Sequence, residues 1–342
     1  MDELTERKQR ILRAVVLEYV ESAEPVGSSL LVERYEFGVG RATVRHELSE
    51  MADRGYLDQP HTSAGRIPSD VGYRYFVNRL AEPVIDRRNQ RQVAALSTND
   101  AGPEDLLLQT CRVLSRLTEY VSIAATFSDQ ATQITSVEFA GITKERILMT
   151  VLFSNGMIEN KVLAGRSDLT LGDLHRLSIE FSKAVSGVPV RNISRKGVPS
   201  FEPTGGPISE VATAAWKALK VVVRATTSGR VVSEGTHFLF DQPEFRQDFD
   251  TLAKIVGALE DDEVVQEALD ASDASNPVTI GTENASEALH SLAIVAGRFY
   301  IGDAEAGAIA VVGPKRMRYA SAVPLVATAA KALTEALTRL MR

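Results

Sequence analysis

Cysteine is almost missing from this 342-residue chain: Cys111 is its one thiol. A single cysteine excludes an intrachain disulfide, and a Cys-rich zinc site with it. Long apolar runs are missing as well. No uncharged stretch approaches the ~18 apolar residues that a spanning helix needs, so an integral membrane protein is not expected. The opening MDELTERKQR has no apolar segment behind it, so no cleaved secretion peptide is expected and the cytosol is the expected compartment. What is present is ordinary globular material. Hydrophobic residues make up 44% and charged residues 24% of the chain, which argues against disorder throughout. The length leaves room for about two to three domains.

Positive charge is absent from one long stretch. Lys254 and Arg298 enclose no Lys or Arg but nine acids: Glu260, Asp261, Asp262, Glu263, Glu267, Asp270, Asp273, Glu283 and Glu287. Without them the net charge of −7 becomes +2. A solvated acidic helix and loop accounts for the stretch. The overall acidity therefore says nothing against a phosphate-binding surface elsewhere.

The N-terminal 80 residues read as a winged helix-turn-helix. Ile11, Leu12, Val15, Val16, Tyr19 and Val20 form one face of a helix that ends before Glu24-Pro25. Ser28 is a plausible cap for a short second helix through Leu30, Leu31 and Arg34. The Phe37-Gly38-Val39-Gly40 turn leads to a third helix, Arg41 to about Arg54, which Gly55 stops. Tyr56–Gln59 and Arg66–Pro68 then read as strands around a polar turn. Ser69 or Asp70 caps a helix carrying Tyr73, Phe76, Val77 and Leu80. This order is that of a winged helix.

Residues 81–103 read as a linker, polar and then turn-rich. An apolar helix follows at Leu106–Leu117, with Cys111 expected as a small buried hydrophobe. Val121–Phe127, Ile134–Phe139, Ile147–Phe153 and Met157–Leu163 are strand-like, with a hairpin at Ser154-Asn155-Gly156. Helical stretches near 171–186, 208–224 and 244–258 come next. Val278–Gly281, Ala293–Ala296 and Ala308–Val312 return to strand character, and Val326–Met341 closes as a helix. Strands on both sides of about 100 helix-rich residues predict one α/β sensor-like domain with an insertion.

The third helix holds the informative chemistry. With Val44, Leu48 and Met51 turned inward, its opposite face presents Ala42, His46, Ser49 and Asp53, flanked by Thr43 and Arg45. The first turns, Arg41, Ala42, Thr43, Arg45 and His46, are small, hydrogen-bonding or positive. A recognition helix needs this, because Arg bridges guanine O6 and N7 while Thr or Ala meets a thymine methyl. Glu47, Glu50 and Asp53 are expected further along, where the helix leaves the groove. An ordinary solvated helix would share this face, but the preceding glycine turn and the following basic hairpin favour recognition. In that hairpin Gln59, His61, Thr62, Ser63 and Arg66 are the expected contacts, with Arg66 reaching phosphate or the minor groove.

Catalysis is not expected. There is no complete P-loop, dinucleotide fingerprint or G-x-S-x-G elbow. His46-Glu47 begins a zinc-protease pattern, but Glu50 stands where the second His belongs. The remaining histidines show no ligand spacing, and no cofactor or metal is named.

Glu24-Pro25-Val26-Gly27-Ser28, Ala42-Thr43-Val44-Arg45, the run Gly55–Pro68 and Gly72-Tyr73-Arg74 together resemble the HrcA family of heat-inducible transcription repressors. Pro243-Glu244-Phe245, Ile280–Asn284 and Gly313–Tyr319 resemble that family's later motifs, so the likeness spans nearly the whole chain in order. The resemblance implies an α+β multidomain protein with five parts. These are a winged-helix DNA-binding domain (1–80), a linker (81–103), a GAF-like domain in two pieces (104–165 and 257–342), and an inserted, helix-rich dimerising domain (166–256). It also implies a homodimer on double-stranded DNA, at an inverted-repeat operator upstream of chaperone genes. The GroEL chaperonin would keep that dimer competent until heat diverts it. His46-Glu47 departs from the family's usual Asn before an acid, and Gly40 from its usual Ser or Pro. Both lie near the DNA face, where a difference in operator preference would arise. An alternative is a winged-helix regulator controlled by a small molecule in the GAF-like domain, with Ile280–Asn284 and Gly313–Tyr319 as lining.

Overall fold

The computed structural model describes residues 4–61, 64–98, 102–126, 132–143, 145–154, 156–164, 169–188, 190–193, 207–227, 230–246, 248–272 and 275–340. Thr62, Ser63, Phe127, Asn155, Asp273 and Met341, singled out above, lie outside the described residues. Among the described residues no helix is long and apolar enough to cross a membrane.

Helix α1 (Glu6–Ser22) starts where Thr5 accepts a hydrogen bond from the Lys8 N–H at 3.4 Å. Its buried stripe is Ile11, Leu12, Val15 and Val16. Helix α2 (Ser28–Arg34) is preceded by Gly27 with no side-chain cap, so Ser28 is its buried first residue and does not cap it. Of the two glycines in the next turn only Gly38 takes a positive φ, +70°. Gly40 is extended and precedes α3 (Arg41–Asp53). The end of α3 is a Schellman motif: Tyr56 N–H reaches Met51 O, and Gly55 N–H reaches Ala52 O, both at 2.9 Å. Strands β1 (Leu57–Asp58) and β2 (Ile67–Pro68) pair antiparallel. Val26 and Arg66 add a bridge with reciprocal 2.9 Å hydrogen bonds. Ser69 caps α4 (Asp70–Tyr75) by accepting from Gly72 N–H at 3.1 Å. A β-carbon on Gly72 would stand 2.1 Å from Tyr56 O, so the hairpin and α4 meet only through a glycine.

The expected linker contains a helix. Helix α5 (Arg87–Ala94) is capped by Asp86 and docks Val93, fully buried, near the C-terminal helix. Helix α6 (Pro103–Thr118) follows, with Cys111 fully buried on it and its thiol pKa pushed up to about 12 by that burial. Strand β3 (Val121–Thr126) ends the first pass through this unit.

Residues 126–230 then pack as a second compact unit. The sequence reading opens the insertion at 166 and closes it at 256, whereas the packing break falls at Thr126 and Arg230. The reason is that the strand-rich run after 121 feeds two different sheets. Strands β4 (Ile134–Thr143), β5 (Arg146–Phe153) and β6 (Ile158–Ala164) form an antiparallel meander of their own. Helix α7 (Leu171–Val185) is closed at its start by a Thr170/Asp173 capping box. Short α8 (Val190–Ile193) and long α9 (Pro207–Thr227) follow. One sheet face, with Val137, Met149, Val151 and Phe153, shares a core with Phe181 of α7 and Trp216 of α9.

The chain returns to the first unit through β7 (Val231–Glu234), antiparallel to β3. Helix α10 (Phe249–Glu260) and the acidic α11 (Asp262–Asp270) come next. Helix α10 starts five residues later than the expected 244, where Asp248 caps it by accepting from the Thr251 N–H at 3.0 Å. Strands β8 (Val278–Ile280), β9 (Leu292–Ile301) and β10 (Ala304–Pro314) complete a sheet of order β7-β3-β10-β9-β8. Helix α12 (Tyr319–Leu340) packs along β9 and begins seven residues before the expected Val326, despite an internal Pro324. Proline has no N–H for the carbonyl four residues back, that of Ala320. Val84 N–H supplies the missing donor at 2.8 Å, so the helix keeps its proline at little cost.

Candidate nucleic-acid interface

Helix α3 is oriented by its inner face. Val44, Leu48 and Met51 are at most 4% exposed. Arg41, Ala42, Thr43, Arg45 and His46 are all exposed, and Ser49 is half-buried. Arg41 and Arg45, one turn apart, join no ion pair among the described residues. No side chain caps the start of α3. Its first-turn N–H groups and the positive end of its dipole therefore remain available to an anion.

The acids of this helix are placed differently from the expectation. Glu47 does not lie out along the helix. It is buried, and it meets Arg7 Nε at 2.7 Å, Arg7 Nη2 at 2.5 Å and Lys8 Nζ at 2.9 Å. Lys8 also holds Glu50 at 2.8 Å, and His46 Nε2 stands 3.8 Å from Glu50. Burial alone would raise the Glu47 carboxyl. Hydrogen bonds from Lys8 and Arg7, together with their charges, outweigh it and hold the pKa below the usual carboxylate value. The Lys8 ammonium is raised, first by its bond to Glu50 and then by that to Glu47. Two acids of α3 are thus neutralised from α1, while its two leading arginines are not. Spacing carried the signal: position 47 is three residues from Val44 and four from Met51, on the inward face.

The hairpin brings Gln59 and His61 to the surface. Gln59 Nε2 also donates to Ala64 O at 3.3 Å, so it braces the turn. Arg66 is half-buried, its backbone fixed to Val26, and its Nε has no hydrogen-bond partner. Arg54, after α3, lies 5.6 Å over the Tyr56 ring.

The later motifs have their side chains largely engaged within the chain. Buried Asn284 donates to the carbonyls of Gly281, Leu289 and Leu292 at 3.0–3.2 Å and accepts from Thr279 at 2.7 Å. A cleft of about 550 Å³ lies between the end of α4 and the start of α12. Of the residues in these two motifs, Tyr319 alone lines it. Among the described residues no group of His, Cys, Asp or Glu is arranged to hold a metal.

The family model of the HrcA protein C-terminal domain matches residues 104–323. The heat-inducible transcription repressor HrcA of Desulfitobacterium hafniense is 30% identical over 347 residues, covering 98% of each chain. That of Carboxydothermus hydrogenoformans is 31% identical over 337 residues, covering 97% of this chain and 98% of its own. A hypothetical protein solved by crystallography at 2.2 Å superposes with a TM-score of 0.65 at 19% identity, covering 99% of this chain and 100% of the other, which shows a shared fold. An exposed, cation-led third helix and a likeness that runs from end to end agree, and the chain belongs to the HrcA family of heat-inducible transcription repressors.

Proposed function

We propose that this protein represses heat-shock (chaperone) genes in the cytoplasm by binding an inverted-repeat operator as a homodimer. GroEL maintains its activity, and heat stress removes it. On this reading residues 1–80 are a winged helix-turn-helix, and the five-stranded sheet with its helices is a GAF-like domain. The unit Thr126–Arg230 is the inserted dimerising domain. The protein regulates and does not catalyse.

The observation that carries the reading is the two-sided character of α3. Its apolar residues and Glu47 are buried, while Arg41, Ala42, Thr43, Arg45 and His46 face solvent from an uncapped N-terminus. This helix end combines base-reading side chains with a positive dipole. Support for a dimer comes from the β4–β6 sheet. Its second face carries Leu148, Leu152, Ile158 and Val162, with Ile158 and Val162 more than half exposed. Around a two-fold axis such an apolar face is self-complementary. The GroEL dependence rests on the family alone.

Footprinting on DNA upstream of chaperone operons, with and without chaperonin, tests the reading. Protection of two half-sites a whole number of helical turns apart, strengthened by GroEL, is the expected result. Absence of sequence-selective protection overturns it.

A further inference from the structure

Five charged side chains that the DNA-binding reading leaves unused tie the N-terminal 80 residues to the C-terminal sheet. Arg74 of α4 is buried, and each of its guanidinium nitrogens is satisfied. Nε donates to Glu283 Oε1 at 2.8 Å, and Nη2 to Glu283 Oε2 and to Val278 O. Nη1 donates to Asn276 Oδ1 at 2.9 Å. Asp70, at the start of the same helix, accepts from Lys315 Nζ at 2.6 Å and from Thr282 N–H at 3.0 Å. Arg316 donates to Val20 O at the end of α1 at 3.1 Å, while Glu244 at 2.6 Å and Gln242 at 3.0 Å hold its other nitrogens. The approach is close enough to dictate sequence. Gly281 has φ +56°, and a β-carbon there would fall 2.0 Å from Asp70 Oδ2.

We propose that Asp70, Arg74, Glu283, Lys315 and Arg316 form a polar joint that fixes the angle of the DNA-binding segment on the C-terminal sheet, and that this angle sets the half-site spacing the dimer accepts. The proposal rests on the repressor reading above. Three features point to a positioning role beyond general stability. The bonds converge on both ends of the DNA-binding segment, α1 through Val20 and α4 through Asp70 and Arg74. A bidentate guanidinium–carboxylate pair is directional and fixes orientation as well as distance. The 550 Å³ cleft opens beside Arg74 and Asn276, while next to it Tyr73 packs on Tyr319 with ring centroids 6.1 Å apart, so the polar bonds add direction to a non-directional apolar contact. Held only by the apolar contact and the 81–86 segment, a winged helix would sample a wider range of angles. Each half-site would still be read, but the two recognition helices would have no fixed separation.

The test uses the full-length dimer and Lys315→Glu, which sets a carboxylate against Asp70 at a partly exposed position, with Glu283→Gln as a second variant. Lys315→Arg is the conservative control. Binding is measured on an operator of natural spacing, on operators lengthened or shortened by one and two base pairs, and on a single half-site. The joint predicts tenfold or greater loss on the natural operator, a flattened dependence on spacing, half-site affinity within twofold of the parent, and near-parental behaviour of Lys315→Arg. A folded Lys315→Glu dimer that keeps full spacing discrimination overturns the proposal. So does an equal loss on the half-site, which would mean that the residues act at the DNA face itself. A second measurement needs no DNA. Because Cys111 is buried, spin labels attach selectively to Ser29→Cys and Glu335→Cys. In labelled dimers diluted with unlabelled protein the intrachain distance should be narrow, and Lys315→Glu should broaden it. An unchanged narrow distribution overturns the joint even if the repressor reading stands. Failure of the parent to bind any operator while the distribution broadens as expected sinks the repressor reading, and the spacing claim with it.

Discussion

Among the described residues the outer face of α3 and the open face of the β4–β6 sheet both lack a partner, yet they lack opposite things. On α3 the exposed groups are guanidinium, hydroxyl and imidazole, and the helix's own Glu47 and Glu50 are held by Arg7 and Lys8. On the sheet the flanking rows are aliphatic, paired across strands as Leu148–Val162 and Leu152–Ile158. Between them runs a polar row of Glu138, Thr150 and Asn160, in which Thr150 donates to Asn160 at 2.8 Å. A surface that keeps unpaired cations is suited to a polyanion, and its binding should weaken with salt. A surface that keeps unpaired methyl groups is suited to an apolar partner, and its binding should be nearly indifferent to salt. The contrast makes the two activities separable by mutation.

The largest expected effect is on the sheet. Leu152→Glu together with Val162→Glu would bury two unpaired carboxylates in the dimer. Sedimentation equilibrium should show dimerisation weakened at least 100-fold with the fold intact, and full-operator affinity should fall with it. A tight dimer in the double variant would remove the sheet from the interface. Next in size is Arg45→Ala. Loss of one bidentate base contact costs about 1–3 kcal/mol, roughly a tenfold or larger drop in specific affinity, with the dimer unchanged. Thr43→Ala should act in the same direction but less. Gel shifts with unaltered affinity and sequence preference for both would take them out of the site.

A smaller effect is expected at Arg66. As a phosphate contact it contributes about 0.9 to the magnitude of the salt slope per protomer. Arg66→Ala should lower specific and non-specific affinity alike and flatten the slope by that amount. Because Arg66 is half-buried and bridged through its backbone to Val26, the side chain can be removed without moving the hairpin. A slope equal to the parent's would make Arg66 a framework residue.

The α3 face was legible in the sequence because a 3.6-residue period fixes which side chains share a side, and Val44, Leu48 and Met51 set the phase. The same period placed Glu47 inward, but an acid at a core position is interpretable only once its partners are known, and Arg7 and Lys8 are remote in sequence. The unit boundary was illegible for another reason. Val121–Thr126 and Ile134–Thr143 have the same β-branched character, and composition does not say which strand each will pair with. Helix α5 has one apolar anchor, Val93, and too few others to make a stripe, so its order comes from a tertiary contact. The early start of α12 was hidden by Pro324, whose cost is offset by Val84, well over two hundred residues earlier. The joint was visible only as motifs, since Asp70 and Lys315 become neighbours only in the fold.

The smallest effect concerns the acids that keep α3 clean of stray charge. Glu47 has a carboxyl pKa held below its ordinary 4.5, so its contribution to stability is fully present above that value and is lost as pH falls through the depressed folded pKa. Lys8, raised above 10.5, contributes fully below that value and loses its contribution only as pH climbs through the raised pKa. Between roughly pH 5 and 10 the pair is therefore constant, and repressor binding should not depend on it there. Glu47→Gln keeps the shape but removes the charge. A hydrogen bond to a charged group contributes about 1.5–3 kcal/mol, and a loss near the lower end lowers Tm by about 2–4 °C. Thermal unfolding from pH 3 to 7 should show the parent's advantage over Glu47→Gln shrinking towards zero at the acid end. If the gap stays constant across that range, Glu47 stabilises α3 by packing alone, and the contrast between a charge-governed helix and an apolar sheet loses its electrostatic half.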